Sequence, residues 1–155
     1  MIVYDRINFR SNSDILFDIE LPGNRCMIGG NSSTGKSLFV NSLAFILDIQ
    51  KSLPKPIPIK YPQLGKNIII FNHKPADVKS ICLLEKHLII IDNADLYIAD
   101  DIELAQHINC DVHNQYLIFS RTQSKLSTPL QFHGEFVVEG TTIRTKYHKK
   151  FGDWG

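Results

Sequence analysis

The sequence predicts an α/β fold: a mostly parallel sheet flanked by helices, with a β-hairpin at each end of the chain. Three observations predict it. Short β-branched runs recur without polar alternation, as strands buried on both faces do. Segments of helical periodicity alternate with those runs. Paired alternating segments joined by polar or glycine turns stand before the first of these units and after the last.

The elements follow in order. Ile2 to Phe9 and Ile15 to Leu21 alternate apolar and polar positions around Ser11-Asn12-Ser13-Asp14, which predicts a hairpin. Pro22-Gly23-Asn24 is a turn, and Arg25 to Ile28 is a short strand running into glycines. Gly35 to Ile49 predicts a helix. Leu38, Phe39, Leu43, Ile46 and Leu47 recur at helical spacing, while Val40, Ala44 and Phe45 widen the apolar face. A helix this apolar is expected to be covered on most sides. Pro54, Pro56, Pro58 and Pro62 lack N–H groups, so Leu53 to Pro62 is neither a helix nor a central strand. Residues 51–66 read as a stiff loop inside one domain spanning 1–155, with a polyproline docking ribbon as the alternative. Asn67 to Phe71 is a strand. Pro75 to Lys86 is a weak helix with Val78, Ile81 and Cys82 on one face. Leu88 to Ile91 is a strand ending at Asp92. Asp100 and Glu103 form a capping box that opens a helix to about Ile108. Tyr116 to Phe119 is a strand, and Glu135 to Glu139 pairs with Thr142 to Tyr147 across Gly140 as a closing hairpin.

Composition bounds the function. The chain has 155 residues, 43% hydrophobic and 21% charged, which is enough for one packed core and too apolar for disorder. The net charge of +1 argues against a polybasic nucleic-acid surface or an acidic tail. The longest apolar runs fall far short of the ~20 residues that span a bilayer, and Met1 to Arg6 lacks the pattern of a secretory signal. Cys26, Cys82 and Cys110 are odd in number and widely spaced, with no CxxC. They read as reduced thiols acting as small buried hydrophobes, which fits a cytoplasmic location. His73, His87, His107, His113, His133 and His148 show no metal-ligand spacing with them. Lys146-Tyr147-His148-Lys149-Lys150 reads as a solvated hairpin end, with contact to nucleic-acid phosphates as the alternative.

One segment carries chemistry. Gly30-Asn31-Ser32-Ser33-Thr34-Gly35-Lys36-Ser37 fits G-x-x-x-x-G-K-[ST]. The glycines permit backbone angles closed to other residues, so that consecutive N–H groups point into one hollow. Those groups and the positive end of the following helix make an anion site. Lys36 is placed to reach the β- and γ-phosphates of a nucleotide, and the Ser37 hydroxyl to ligate Mg²⁺. The motif follows a predicted strand and opens a predicted helix, as its mechanism requires. His87-Leu88-Ile89-Ile90-Ile91-Asp92 is an apolar strand ending in an acid, the Walker B arrangement. Its carboxylate is expected beside Ser37, holding the Mg²⁺ shell.

On these residues the chain resembles a P-loop NTPase. One strand lies between the P-loop strand and the Asp92 strand in sequence, and another follows. That order resembles the branch in which an extra strand sits beside the P-loop strand and carries a polar sensor at its tip, the position of Ser120. The flanking hairpins, and Phe17-Asp18-Ile19-Glu20-Leu21-Pro22-Gly23 before Ile28-Gly29-Gly30, are similar to the ABC and RecF/SMC-type ATPase core. The LSGGQ-type signature and its helical subdomain are missing. Asn72-His73 stands at the glutamine loop, Asn93 at the catalytic Glu, and Ser120-Arg121 at the switch His. The resemblance therefore implies a stripped core.

A general base contributes ~10²–10⁴-fold to such hydrolysis. Asn93 can orient water but cannot take its proton. Asp95 is the nearest substitute, with a loop or cap role as the alternative, and Arg121 is the best-placed arginine near the ligand edge, with a plain surface loop arginine as the alternative. The expected function is Mg-dependent ATP binding with slow intrinsic hydrolysis, completed by a second copy or a protein partner. ATP is expected rather than GTP, because no Asn/Thr-Lys-x-Asp segment is present. Tyr4 stands near where ABC proteins place an adenine-stacking aromatic, with a plain strand residue as the alternative. Two other classes share the loop: a small-molecule or nucleotide kinase, and a non-hydrolysing, nucleotide-gated interaction module.

Overall fold

A computed structural model describes residues 3–11, 13–29, 35–52, 67–71, 78–92, 94, 102–120 and 132–150. Eight strands among them form one mixed sheet: β1 Arg6–Arg10, β2 Leu16–Glu20, β3 Arg25–Gly29, β4 Ile68–Phe71, β5 Leu88–Ile91, β6 Gln115–Phe119, β7 Phe132–Glu139 and β8 Thr142–Lys150. Three helices accompany them: α1 Lys36–Ser52, α2 Val78–Cys82 and α3 Ile102–Cys110.

The strand order is β1-β2-β8-β7-β3-β6-β5-β4. β7, β3, β6, β5 and β4 all run the same way. The two predicted hairpins are present, β1 against β2 and β7 against β8, both antiparallel. They are not appendages. β8 pairs in parallel with β2 and β7 pairs in parallel with β3, so both hairpins belong to the same continuous sheet. The sheet is therefore mixed and strand-rich: five of its seven pairings are parallel, and the two hairpins supply the antiparallel ones. The reason is that alternating segments at the two ends of the sequence find each other as neighbours.

Period-two geometry divides the core into two layers. Cys26 and Ile28 of β3, Leu88 and Ile90 of β5, and Leu117 and Phe119 of β6 pack with Phe39, Val40, Leu43 and Ile46 of α1. The intervening residues Met27, Ile89, Ile91, Tyr116 and Ile118 pack with Ile81 of α2 and with Leu104 and Ile108 of α3. β5 and β6 are buried throughout because helices cover both of their faces. β4 has the same composition yet is only half-buried beyond Ile68, because it lies at the sheet's edge. β1 buries alternate residues only, as a one-sided strand does.

The four hairpin strands also turn their apolar face to α1. Ile7, Phe9, Phe17, Ile19, Phe136 and Ile143 join its layer. Phe39 sits at the centre, with ring centroids 6.0 Å from Phe9, 5.5 Å from Phe17, 5.9 Å from Phe119 and 5.6 Å from Phe136. Tilted and edge-on pairs of this kind contribute ~0.5–1.5 kcal/mol each beyond the area they bury.

Three expectations need correction. α1 is less covered than its composition suggested, since Leu38 and Phe45 are 37% and 45% exposed. The helix expected to run to Lys86 ends at Cys82, and Lys86 takes a left-handed φ of 57°. Of the three cysteines only Cys26 is buried, while Cys82 and Cys110 are exposed. The Pro-rich stretch from Leu53 to Pro62, Asn72-His73 and the Asp100 cap lie outside the described residues. No described helix is long and apolar enough to cross a membrane.

Truncating the central ring tests this packing. Phe39→Ala is expected to cost ~3–5 kcal/mol, read as a lower urea midpoint at unchanged slope.

Candidate functional site

Parallel registry brings the carboxyl ends of the central strands to one edge. Ile28 of β3 is level with Phe119 of β6, and Ile118 of β6 is level with Ile91 of β5. Ser120 therefore stands beside Gly29, and its N–H donates to the Ile28 carbonyl at 3.1 Å. Asp92 follows β5 at the same edge, its N–H donating to the Phe71 carbonyl of β4 at 3.0 Å. With strands ~4.8 Å apart, the ends of β3, β6 and β5 span about 10 Å.

The glycine-rich segment joins this edge to α1. β3 ends at Gly29 and α1 begins at Lys36. Gly30, Asn31, Ser32, Ser33 and Thr34 lie outside the described residues; Gly35, Lys36 and Ser37 lie within them. Gly35 has φ +92°, a conformation in which a side chain is strained. Its carbonyl accepts the first helical hydrogen bond, from the Phe39 N–H at 2.9 Å. A Cβ built at Gly35 would meet Ile143 Cδ1 of β8 at 2.7 Å. The second glycine of the motif is therefore required by its φ, while the Ile143 contact is with the movable tip of a side chain. The contact with Ile143 carried no sequence signal, because β8 lies more than a hundred residues away.

The first turn of α1 contains no acidic residue. The N–H groups of a helix's first turn have no carbonyl partner within the helix, and the positive end of the dipole lies there. Lys36 occupies that turn and is only 7% exposed. A buried ammonium at the positive end of a helix is disfavoured unless negative charge is close. Asp92 and Ser120 at the neighbouring strand ends are likewise buried, at 8% and 2% exposure. Ser37 is exposed. Low water access strengthens what such groups do to a charged ligand.

Lys36, Asp92 and Ser120 thus come to one sheet edge, with Ser37 next in the helix. Asn93, Asp95 and Arg121 lie outside the described residues. Tyr4 does not belong to this edge, and the stacking expectation is corrected. Its N–H donates to Gln115 Oε1 at 2.8 Å, and its hydroxyl donates to Asn67 Oδ1 at 2.6 Å. Gln115 and Asn67 stand at the amino ends of β6 and β4. Tyr4 is therefore at the opposite edge of the sheet, about 16 Å away along a five-residue strand, with its phenol already committed. Upstream distance in sequence gave no indication of which edge it would reach.

Gln115 was not singled out by the sequence. It is fully buried, and its Oε1 accepts from the N–H groups of Val3 and Tyr4 at 2.9 and 2.8 Å. Its Nε2 donates to the carbonyls of Tyr4 and Gly23 at 2.8 and 3.1 Å. Every hydrogen-bonding position of the amide is used, and the segment entering β1 is tied to the amino edge.

No family model, curated protein or solved structure matches the chain.

Replacing Gly35 with Ala isolates the backbone requirement. We expect a loss of ~1–2 kcal/mol in unfolding free energy from the positive φ alone. Adding Ile143→Val should not recover that loss, because the φ penalty remains and the trimmed buried side chain adds its own cost. Denaturant titration of both variants measures the two effects.

Proposed function

We propose that this chain is a P-loop ATP-binding protein, a Mg-dependent ATPase or ATP-gated switch with slow intrinsic hydrolysis. One observation carries the reading. A G-x-x-x-x-G-K-S segment joins a strand ending at Gly29 to a helix opening at Lys36, its second glycine at φ +92°. The strand order adds support: β6 lies between β3 and β5, and the polar Ser120 follows its tip. That is the arrangement expected of the P-loop branch with an inserted sensor strand.

The residues present suit a triphosphate with its metal. Lys36, in the first turn of α1, would meet anionic phosphate oxygens at the helix N-terminus. The Ser37 hydroxyl and the Asp92 carboxylate are the two oxygen donors for Mg²⁺, which would neutralise charge on the phosphates when bound. Ser120 is placed to donate to a phosphate oxygen from the strand between them. Lys36 would act through its charge on the terminal phosphates.

The choice of a slow enzyme or a switch rests on Asn93 after Asp92. An amide can hold a water in line but cannot accept its proton. Asp95 remains the candidate base and Arg121 the candidate charge stabiliser, each in need of a partner surface or second copy to complete the site.

Calorimetry with ATP and Mg²⁺ tests the assignment. Lys36→Ala removes a charge-assisted contact worth ~1.5–3 kcal/mol, so affinity should fall by roughly ten- to a hundredfold. Unchanged affinity would refute the loop's role. Multiple turnover by the isolated wild-type chain should stay below ~1 s⁻¹, the low end of ordinary enzymes. A faster rate would overturn the switch reading while leaving the binding site intact.

A further inference from the structure

A second cluster of chemistry-bearing side chains lies at the amino edge of the sheet, away from the nucleotide site. Cys82 closes α2 just before β5, and His107 and Asp111 flank the end of α3 just before β6. Cys82 is an exposed free thiol. Its Sγ is 3.8 Å from His107 Nδ1, within hydrogen-bonding range for sulfur. The other ring nitrogen, Nε2, is buried and makes no hydrogen bond among the described residues. It faces Asp111 Oδ2 at 3.5 Å.

Asp111 is rigidly held. Oδ2 accepts from the Tyr116 hydroxyl at 2.6 Å and from Asn114 Nδ2 at 2.8 Å, and Oδ1 accepts from the His113 N–H at 2.8 Å. Burial pushes this carboxyl up, but the hydrogen bonds from Asn114, Tyr116 and His113 outweigh burial and hold it below the ordinary aspartate value. The fixed carboxylate beside Nε2 orients the ring and leaves Nδ1 facing the thiol, where it can take the proton as Sγ attacks.

We propose that Cys82 is a reactive thiol, activated by His107 and oriented by Asp111, that forms mixed disulfides with low-molecular-weight disulfides. Cys82 Sγ attacks one sulfur of R–S–S–R. The Cys82–S–R bond forms and the R–S–S–R bond breaks. His107 Nδ1 takes the Cys82 thiol proton as the new bond forms and passes it to the departing thiolate. Cys82 is oxidised, one RS group is reduced to RSH, and no further oxidant enters. Acyl transfer fits less well because it needs free donors aimed at an oxyanion. Three main-chain N–H groups near the thiol are committed: Leu84 donates to the Ile81 carbonyl, Lys86 to the His113 carbonyl and His113 to Asp111 Oδ1. Disulfide exchange needs only a thiolate and access.

The chain carries its own controls. Cys110 is exposed like Cys82, whereas Cys26 is buried, and burial pushes its thiol up to about 11. The folded full-length protein is treated with glutathione disulfide at neutral pH, and modification is followed at each cysteine by peptide mass. With His107 positioned to take its proton, Cys82 should react about three- to tenfold faster than Cys110. His107→Gln should bring Cys82 down to the Cys110 rate and leave Cys110 unchanged. Equal wild-type rates at Cys82 and Cys110 would overturn the proposal. So would a fast Cys82 in His107→Gln while Cys26 stays protected. If Cys26 becomes reactive in that variant, the fold has opened and the wild-type ratio alone decides.

Discussion

The main-chain hydrogen bonds that seat β6 between β3 and β5 set the position of everything else. A strand added there in parallel registry puts Ser120 level with Gly29 and one strand away from the end that carries Asp92. A slip of one residue would turn Ile118 and Phe119 to the wrong layers and would move Ser120 along the edge. The hydrophobic alternation between the α1 side and the α2–α3 side is therefore what aligns the polar tips. The site inherits its geometry from packing that makes no contact with a ligand.

The second constraint couples the hairpins to the loop. Phe39 stands one turn into α1, among rings from β1, β2, β6 and β7. Its main-chain N–H caps Gly35, which in turn lies against Ile143 of β8. The helix entry is thus gripped from the sheet's far half as well as from β3. Strands that contribute no polar residue to the candidate site still fix the angle at which α1 leaves it.

Much of this was legible in the residues. The continuous runs Leu88–Ile91 and Tyr116–Phe119 declared themselves as doubly covered strands, and the strand-glycines-helix order around Gly35 and Lys36 was readable from composition and spacing alone. Both hairpins were visible as alternating segments. What stayed hidden was long-range pairing. Nothing local in Leu16–Glu20 or Thr142–Lys150 says that they will lie side by side, so the single mixed sheet was not foreseen. The same blindness misplaced Tyr4, since its edge of the sheet is decided by Gln115 more than a hundred residues on. The cysteines were misjudged for a related reason: Cys82 and Cys110 fall at helix ends, where periodicity no longer dictates a face. His107 and Asp111 stand at i, i+4 spacing, but the thiol that joins them comes from a different helix.

The pairing of β2 with β8 also orders events in time. Loop closure must bring residues near the start of the sequence to residues that are synthesised after every other described element. As the chain emerges from a ribosome, β1 and β2 can pair as a hairpin and meet α1, but a two-stranded unit is marginal in water until the rest of the sheet forms. The open edge of β2 must wait, exposed, until β8 arrives. Non-local pairing of this kind slows folding, and an unsatisfied edge invites association with other chains. Nascent molecules stalled before residue 142 would carry that open edge, so a vectorially synthesised chain is at greater risk of sticking to its neighbours than one refolded whole.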